Sequence, residues 1–126
     1  MKKSKLILLF FVVTFSMNCC SKKVDVITMH EFQDKILDNK TVVLDVRTEE
    51  EYYGPLGHIN GSILIPINEL EDRLSELNDY KENTIYVVCR SGNRSGFGKD
   101  ILNKNNFTAV NVDGGMLDWK TDKNER

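Results

Sequence analysis

The chain has 126 residues, 40% of them apolar and 29% charged, with 17 Lys and Arg against 19 Asp and Glu for a net charge of −2. That is room for one globular domain and an appendage, with no second domain required. A chain so balanced in charge lacks the basic surface that nucleic acid binding needs.

The N-terminus departs from the average. Met1-Lys2-Lys3-Ser4-Lys5 is basic, and Leu6 to Phe15 is apolar apart from Thr14. Such a run is too short to cross a bilayer as a helix, which takes about 20 residues, but it matches the apolar region of a secretory signal. Residues 1–19 therefore read as an export signal. Cys19 and Cys20 follow directly, and a cysteine placed just after such a run resembles the lipidation site of bacterial lipoproteins. Cys19 is the expected acylated residue, because Cys20 would have a cysteine before it. An ordinary cleaved signal and an uncleaved anchor are the competing readings. The expected location is the periplasm or cell envelope, with a lipid tying the domain to a bacterial membrane. Lys2, Lys3 and Lys5 leave with the signal, so the remainder carries 14 Lys and Arg against 19 Asp and Glu, a net of −5. Cys89 is then the one thiol of the folded part, which rules out an internal disulfide.

Val24 to Ile27 predicts a first strand. Thr28-Met29-His30-Glu31 has the capping-box pattern, so a helix is expected from about Met29 to Leu37 with Phe32, Ile36 and Leu37 on its apolar face. Thr41 to Val46 predicts a second strand, apolar on both faces and so central in a parallel sheet. Asp45 is its anomaly: a carboxylate in such a run must be paired or hydrogen-bonded, and Arg47 and the next amides are the nearest candidates. Thr48 to Glu51 is a second capping box, opening a short helix that Gly54-Pro55 ends. Ile63-Leu64-Ile65 predicts a third strand. Asn68 is the expected cap of a helix that turns Leu70, Leu74 and Leu77 inward. Only two histidines, His30 and His58, accompany no paired cysteines, so no metal constellation exists and His58 reads as a hydrogen-bonded structural residue.

Thr84-Ile85-Tyr86-Val87-Val88 predicts a buried fourth strand, and Cys89-Arg90-Ser91-Gly92-Asn93-Arg94-Ser95 follows it directly. The cysteine thus stands at the C-terminal end of a strand, where open α/β sheets bind ligands, on a loop that feeds a helix and can aim successive N–H groups at an anion. Amide dipoles and two arginines would favour the thiolate, the nucleophilic form. The alternative is a small buried hydrophobe closing a strand. The next helix is expected from Ser95 to about Asn103 with Phe97, Ile101 and Leu102 inward. Gly96 and Gly98 each cost about 1 kcal/mol against Ala in a helix interior, which predicts a loose first turn. Thr108 to Val112 is a fifth strand. Asp113-Gly114-Gly115 turns into a last short helix, Trp119 caps the core, and the tail from Lys120 is expected to fray. Strands alternating with helices imply an α/β domain with a parallel sheet covered on both faces.

Three blocks then carry a resemblance: Asp45-Val46-Arg47 with Glu51-Tyr52 and Gly57-His58-Ile59; Cys89 to Ser95; and Val112-Asp113-Gly114-Gly115 with Trp119. With these the chain resembles the single-domain rhodanese family of sulfurtransferases over residues 24–121. The resemblance implies a three-layer α/β/α domain with a five-stranded parallel sheet in the order 1-5-4-2-3. Dual-specificity phosphatases of the cell-cycle type and related arsenate reductases share this fold, but they place five residues between cysteine and arginine. Here four, Arg90 to Asn93, separate Cys89 from Arg94, a cradle narrower than a tetrahedral oxyanion needs and suited to a persulfide.

The implied chemistry is transfer of a sulfane sulfur from thiosulfate or a similar small donor, through a persulfide on Cys89, to a thiol or to cyanide. Cys89 is the expected nucleophile. Arg90, Ser91, Gly92, Asn93, Arg94 and Ser95 are the expected binding loop, with Arg94 and then Arg90 attracting the anionic donor. No metal and no organic cofactor is implied. The rival readings are a partner-dependent sulfur carrier with little turnover of its own, and a thiol redox or phosphatase-like enzyme.

Overall fold

The structure is a computed structural model that describes residues 23–38 and 40–124, with side chains as far as residue 120. The export signal and the Cys19 lipidation site lie outside the described residues. Runs rich in β-branched residues form β1 (Val26–Thr28), β2 (Val42–Asp45), β3 (Ile63–Leu64), β4 (Thr84–Val88) and β5 (Thr108–Asp113). Neighbours pair in parallel in the order β1-β5-β4-β2-β3, the order the resemblance implies.

Successive side chains of a strand point to opposite faces, and this alternation builds two cores. Val42, Leu44, Ile85, Val87, Cys89 and Ala109 face one way. Val43, Val88, Val110 and Val112 face the other. The helices α1 (Met29–Lys35) and α4 (Gly115–Asn124) supply Met29, Phe32, Met116 and Trp119 to the second core. The first core is closed by Ile101 and Leu102 of α3 (Asn93–Lys104) and by Leu74 and Leu77 of a 3₁₀ segment, Leu74–Tyr80. The short helix α2 (Glu49–Tyr52) stands at the C-terminal end of β2. Both expected capping boxes form, at Thr28 with Glu31 and at Thr48 with Glu51.

Five expectations are corrected. The helix expected after Asn68 is a run of turns and then 3₁₀ helix whose cap residue, Arg73, makes no side-chain cap bond. Leu74 and Leu77 are three apart, one turn of a 3₁₀ helix, so the leucines reach the core without an α-helix. Leu37 is 82% exposed because α1 stops at Lys35 and Ile36 serves as its C-cap. Phe97, expected inward, is 68% exposed. The buried face of α3 is Ser95, Gly98 and Leu102, a phase that leaves Phe97 outside.

The expected loosening at the glycines of α3 is also absent. The helix is continuous, and a Cβ on Gly98 would stand 3.2 Å from Val87 and 3.3 Å from Val46. Gly98 lets α3 lie close on the sheet, which offsets its helix cost. Finally, the chain stays helical past Lys120, to Asn124.

Candidate active site

Cys89 follows β4 on the face covered by α3, and its side chain is buried. Its Sγ accepts hydrogen bonds from the Gly92 N–H at 3.1 Å and the Ser95 hydroxyl at 3.3 Å. Burial pushes the thiol up, but the Ser95 hydroxyl and the N–H groups of Ser95, Gly92 and Ser91 outweigh it, leaving Cys89 below an ordinary thiol. The loop therefore makes an anion cradle by its backbone turn and one hydroxyl.

Gly92 makes that turn possible. It caps α3 with φ of 110°, a left-handed conformation, and a Cβ there would stand 2.7 Å from an Asp113 carboxylate oxygen. Its carbonyl accepts from Gly96 N–H at 3.2 Å, from Ser95 Oγ at 3.0 Å and from Asn111 Nδ2 at 3.2 Å. On the other side, Met116 N–H donates to the Cys89 carbonyl at 2.9 Å and Leu117 N–H to that of Arg90 at 3.1 Å. The first turn of α4 can come this close only because residue 115 is glycine: its Cβ would lie 2.4 Å from the Cys89 oxygen. Gly115 thus serves the cysteine loop.

The remaining loop residues divide by exposure. Arg90, Ser91 and Asn93 are exposed, Arg94 is half-buried and Ser95 is buried. Ser91 offers its backbone N–H to the thiolate. Arg94 does not face solvent as a free cation. Its Nη1 and Nη2 donate to the two carboxylate oxygens of Glu51, each at 2.7 Å. The Arg94 guanidinium draws Glu51 from 4.5 down to about 2, and Glu51 in turn raises Arg94.

Behind this pair lies a second one. Arg47 and Asp45 are both fully buried and meet at 2.7 Å, with the Arg47 Nε also donating to both Asp45 oxygens. Arg47 then reaches the carbonyls of Glu51 at 3.1 Å and Gly57 at 2.8 Å. So Asp45 holds Arg47, Arg47 holds α2, and α2 presents Glu51 to Arg94. His58 Nδ1 lies 3.1 Å from the Tyr52 carbonyl and its ring stacks on Tyr52 at 3.9 Å, a scaffold role as expected. Among the described residues no three His, Cys, Asp or Glu side chains gather to hold a metal ion.

The matching family model is that of the rhodanese-like domain, over residues 28–122. The chain belongs to the rhodanese-like family. Among its relatives, thiosulfate sulfurtransferase PspE of Escherichia coli is 36% identical over 75 residues, which are 60% of this chain and 70% of PspE. YrkF of Bacillus subtilis, provisionally named a sulfur carrier protein, is 40% identical over 95 residues, covering 74% of this chain. The chain spans about half of YrkF's length, 49%. A crystal structure of a rhodanese-like domain protein from Staphylococcus aureus is 38% identical, with a TM-score of 0.68 over 76% of this chain and 91% of that one. This rhodanese-like domain therefore has sulfurtransferase homologues.

Two site residues were not singled out from the sequence. From the sequence Glu51 is a capping residue and a member of the first of the three family blocks, and nothing local ties it to an arginine 43 residues away. Asn111 did carry a signal. It is a polar residue in the run Thr108-Ala109-Val110-Asn111-Val112, at a position where alternation points under α3. Its Oδ1 is buried without a partner, which costs about 1–3 kcal/mol. Such a cost makes sense if the amide is kept for the bond to Gly92. Asn111→Leu is accordingly expected to leave thermal stability unchanged or raised while slowing Cys89 chemistry about tenfold. Thermal melts beside alkylation rates check this; a loss of stability matching the loss of rate would contradict it.

Proposed function

We propose that this rhodanese-like domain is a sulfurtransferase that carries a sulfane sulfur as a persulfide on Cys89, taken from thiosulfate or a similar donor. The observation that carries the reading is the cradle at Sγ: two hydrogen bonds at 3.1 and 3.3 Å from Gly92 and Ser95, on a loop with four residues between Cys89 and Arg94. The Cys89 thiolate attacks the outer sulfur of thiosulfate. A new S–S bond forms, the old one breaks, and sulfite leaves with the electron pair. The terminal sulfur then bears the negative charge, where the same N–H groups stabilise it. A thiolate or cyanide next attacks that sulfur, and Cys89 leaves as the thiolate it was at the start. No proton has to move in either step.

The basic start and short apolar run of the chain support export, and Cys19 supports a lipid tether that holds the domain outside the cytoplasm at a bacterial membrane. A second reading has its own observation. Cys89 is only 1% exposed, which suits a carrier loaded and emptied by a docked protein, and the provisional name of YrkF is in keeping with it.

Thiosulfate-to-cyanide transfer by the full-length chain tests the first reading. Thiocyanate formation is expected; its absence from folded protein with reduced Cys89 would move the assignment to the carrier.

The chemistry has a defined pH dependence. A thiol held below its ordinary range is thiolate above its own pKa and loses that form as pH falls through it. Iodoacetamide alkylation of Cys89, followed on its peptide by mass spectrometry, is expected to rise with pH through a midpoint below that of an unperturbed cysteine thiol. Ser95→Ala is expected to move that midpoint upward, since the Ser95 hydroxyl is the strongest group lowering the thiol. An unmoved midpoint would remove Ser95 from the cradle.

A further inference from the structure

Positive charge beside the nucleophile is the simplest way to draw in an anionic donor, yet here most of it is already matched. Arg47 is buried against Asp45, and Arg94 is held by both oxygens of Glu51. Glu49 and Glu50 share the first turn of α2 with Glu51. Arg90 is exposed and has no ion-pair partner among the described residues. An anion approaching Cys89 therefore meets the unpaired charge of Arg90 and, at Arg94, a guanidinium whose charge is opposed by a carboxylate in direct contact with it. Doubly charged thiosulfate is repelled by that carboxylate about twice as strongly as a singly charged donor.

We infer that Glu51 is a specificity-determining residue: by neutralising Arg94 it biases the site toward singly charged sulfane-sulfur donors, organic thiosulfonates and persulfides, over doubly charged thiosulfate. The inference rests on Cys89 being the sulfur carrier. For a thiosulfonate the step balances as before. The thiolate takes the outer sulfur, the S–S bond breaks, and a sulfinate leaves with the electron pair. With a persulfide donor, a thiolate leaves in its place. Glu51 does not touch the transferred sulfur in this account. It acts through Arg94.

Glu51→Gln is the informative variant, because glutamine at the third helical position also serves a capping box with Thr48 while the negative charge is gone. The full-length chain and the variant are compared with thiosulfate and methanethiosulfonate. The ratio of the two KM values is expected to shift toward thiosulfate by roughly fivefold, and the shift to shrink at high salt. In parallel, Cys89 is alkylated with anionic iodoacetate and neutral iodoacetamide and read on its own peptide. The iodoacetate-to-iodoacetamide rate ratio is expected to rise in the variant by a similar factor. An unchanged KM ratio with Cys89-dependent turnover intact would overturn the inference and leave the sulfurtransferase reading standing. Absence of turnover with both donors would overturn that reading and the donor class with it. The alkylation ratio would then still decide whether Glu51 governs the charge that anions meet at Cys89, and an unmoved ratio would overturn that too.

Discussion

Arg47→Met is expected to destabilise the fold by about 3–5 kcal/mol, the cost of leaving a buried carboxylate without its partner. Asp45 is fully buried, and its partners are the side chain and backbone N–H of Arg47. The methionine removes the charge and with it the bonds to the Glu51 and Gly57 carbonyls, so α2 loses its anchor as well. The double variant Asp45→Leu with Arg47→Met is expected to be less destabilised than Arg47→Met alone, because no buried charge is left unpaired. Urea unfolding of the three proteins checks both statements. A double variant weaker than the single one would mean that the pair itself stabilises the fold.

Cys89→Ser is expected to lower sulfur transfer by about a thousandfold or more. A serine hydroxyl does not ionise in the working range, and its oxygen cannot form a persulfide, so neither step has its nucleophile. The loop should survive the change. Gly92 is held by Gly96, Ser95 and Asn111, and the Cys89 backbone by Met116, none of which uses the sulfur. An unchanged melting temperature beside lost transfer is the expected pair of results. Residual transfer within tenfold of the parent chain would mean that sulfur passes directly from donor to acceptor.

The strands were legible because they are runs rich in β-branched residues joined by segments long enough for crossovers, while their order was implied by the family resemblance alone. The cysteine loop was legible because a strand, a thiol, a glycine and two arginines fall in one short window, although the groups that reach the sulfur are amides and the Ser95 hydroxyl. Asp45 was legible as an anomaly that named its own remedy, Arg47. What stayed hidden depends on distance or on helix phase. The Glu51 contact spans 43 residues, and its capping role gave a sufficient local reason for the glutamate to be there. Phe97 was placed inward by apolar character alone. Ser95 turned toward Cys89, and Gly98 pressed on Val87 and Val46, fix the phase of α3 otherwise. The segment after Asn68 carries leucines at spacings that α and 3₁₀ turns satisfy almost equally, so its pattern could not separate them.

The most direct test of the account is the mass of the Cys89 peptide after the reduced full-length chain is treated with thiosulfate, then with cyanide. Gain of one sulfur atom on that peptide, and its loss on adding cyanide with thiocyanate released in equal amount, is the predicted result. A Cys89 peptide of unchanged mass while thiocyanate accumulates would contradict the account, because sulfur would then be passing through the protein without resting on Cys89.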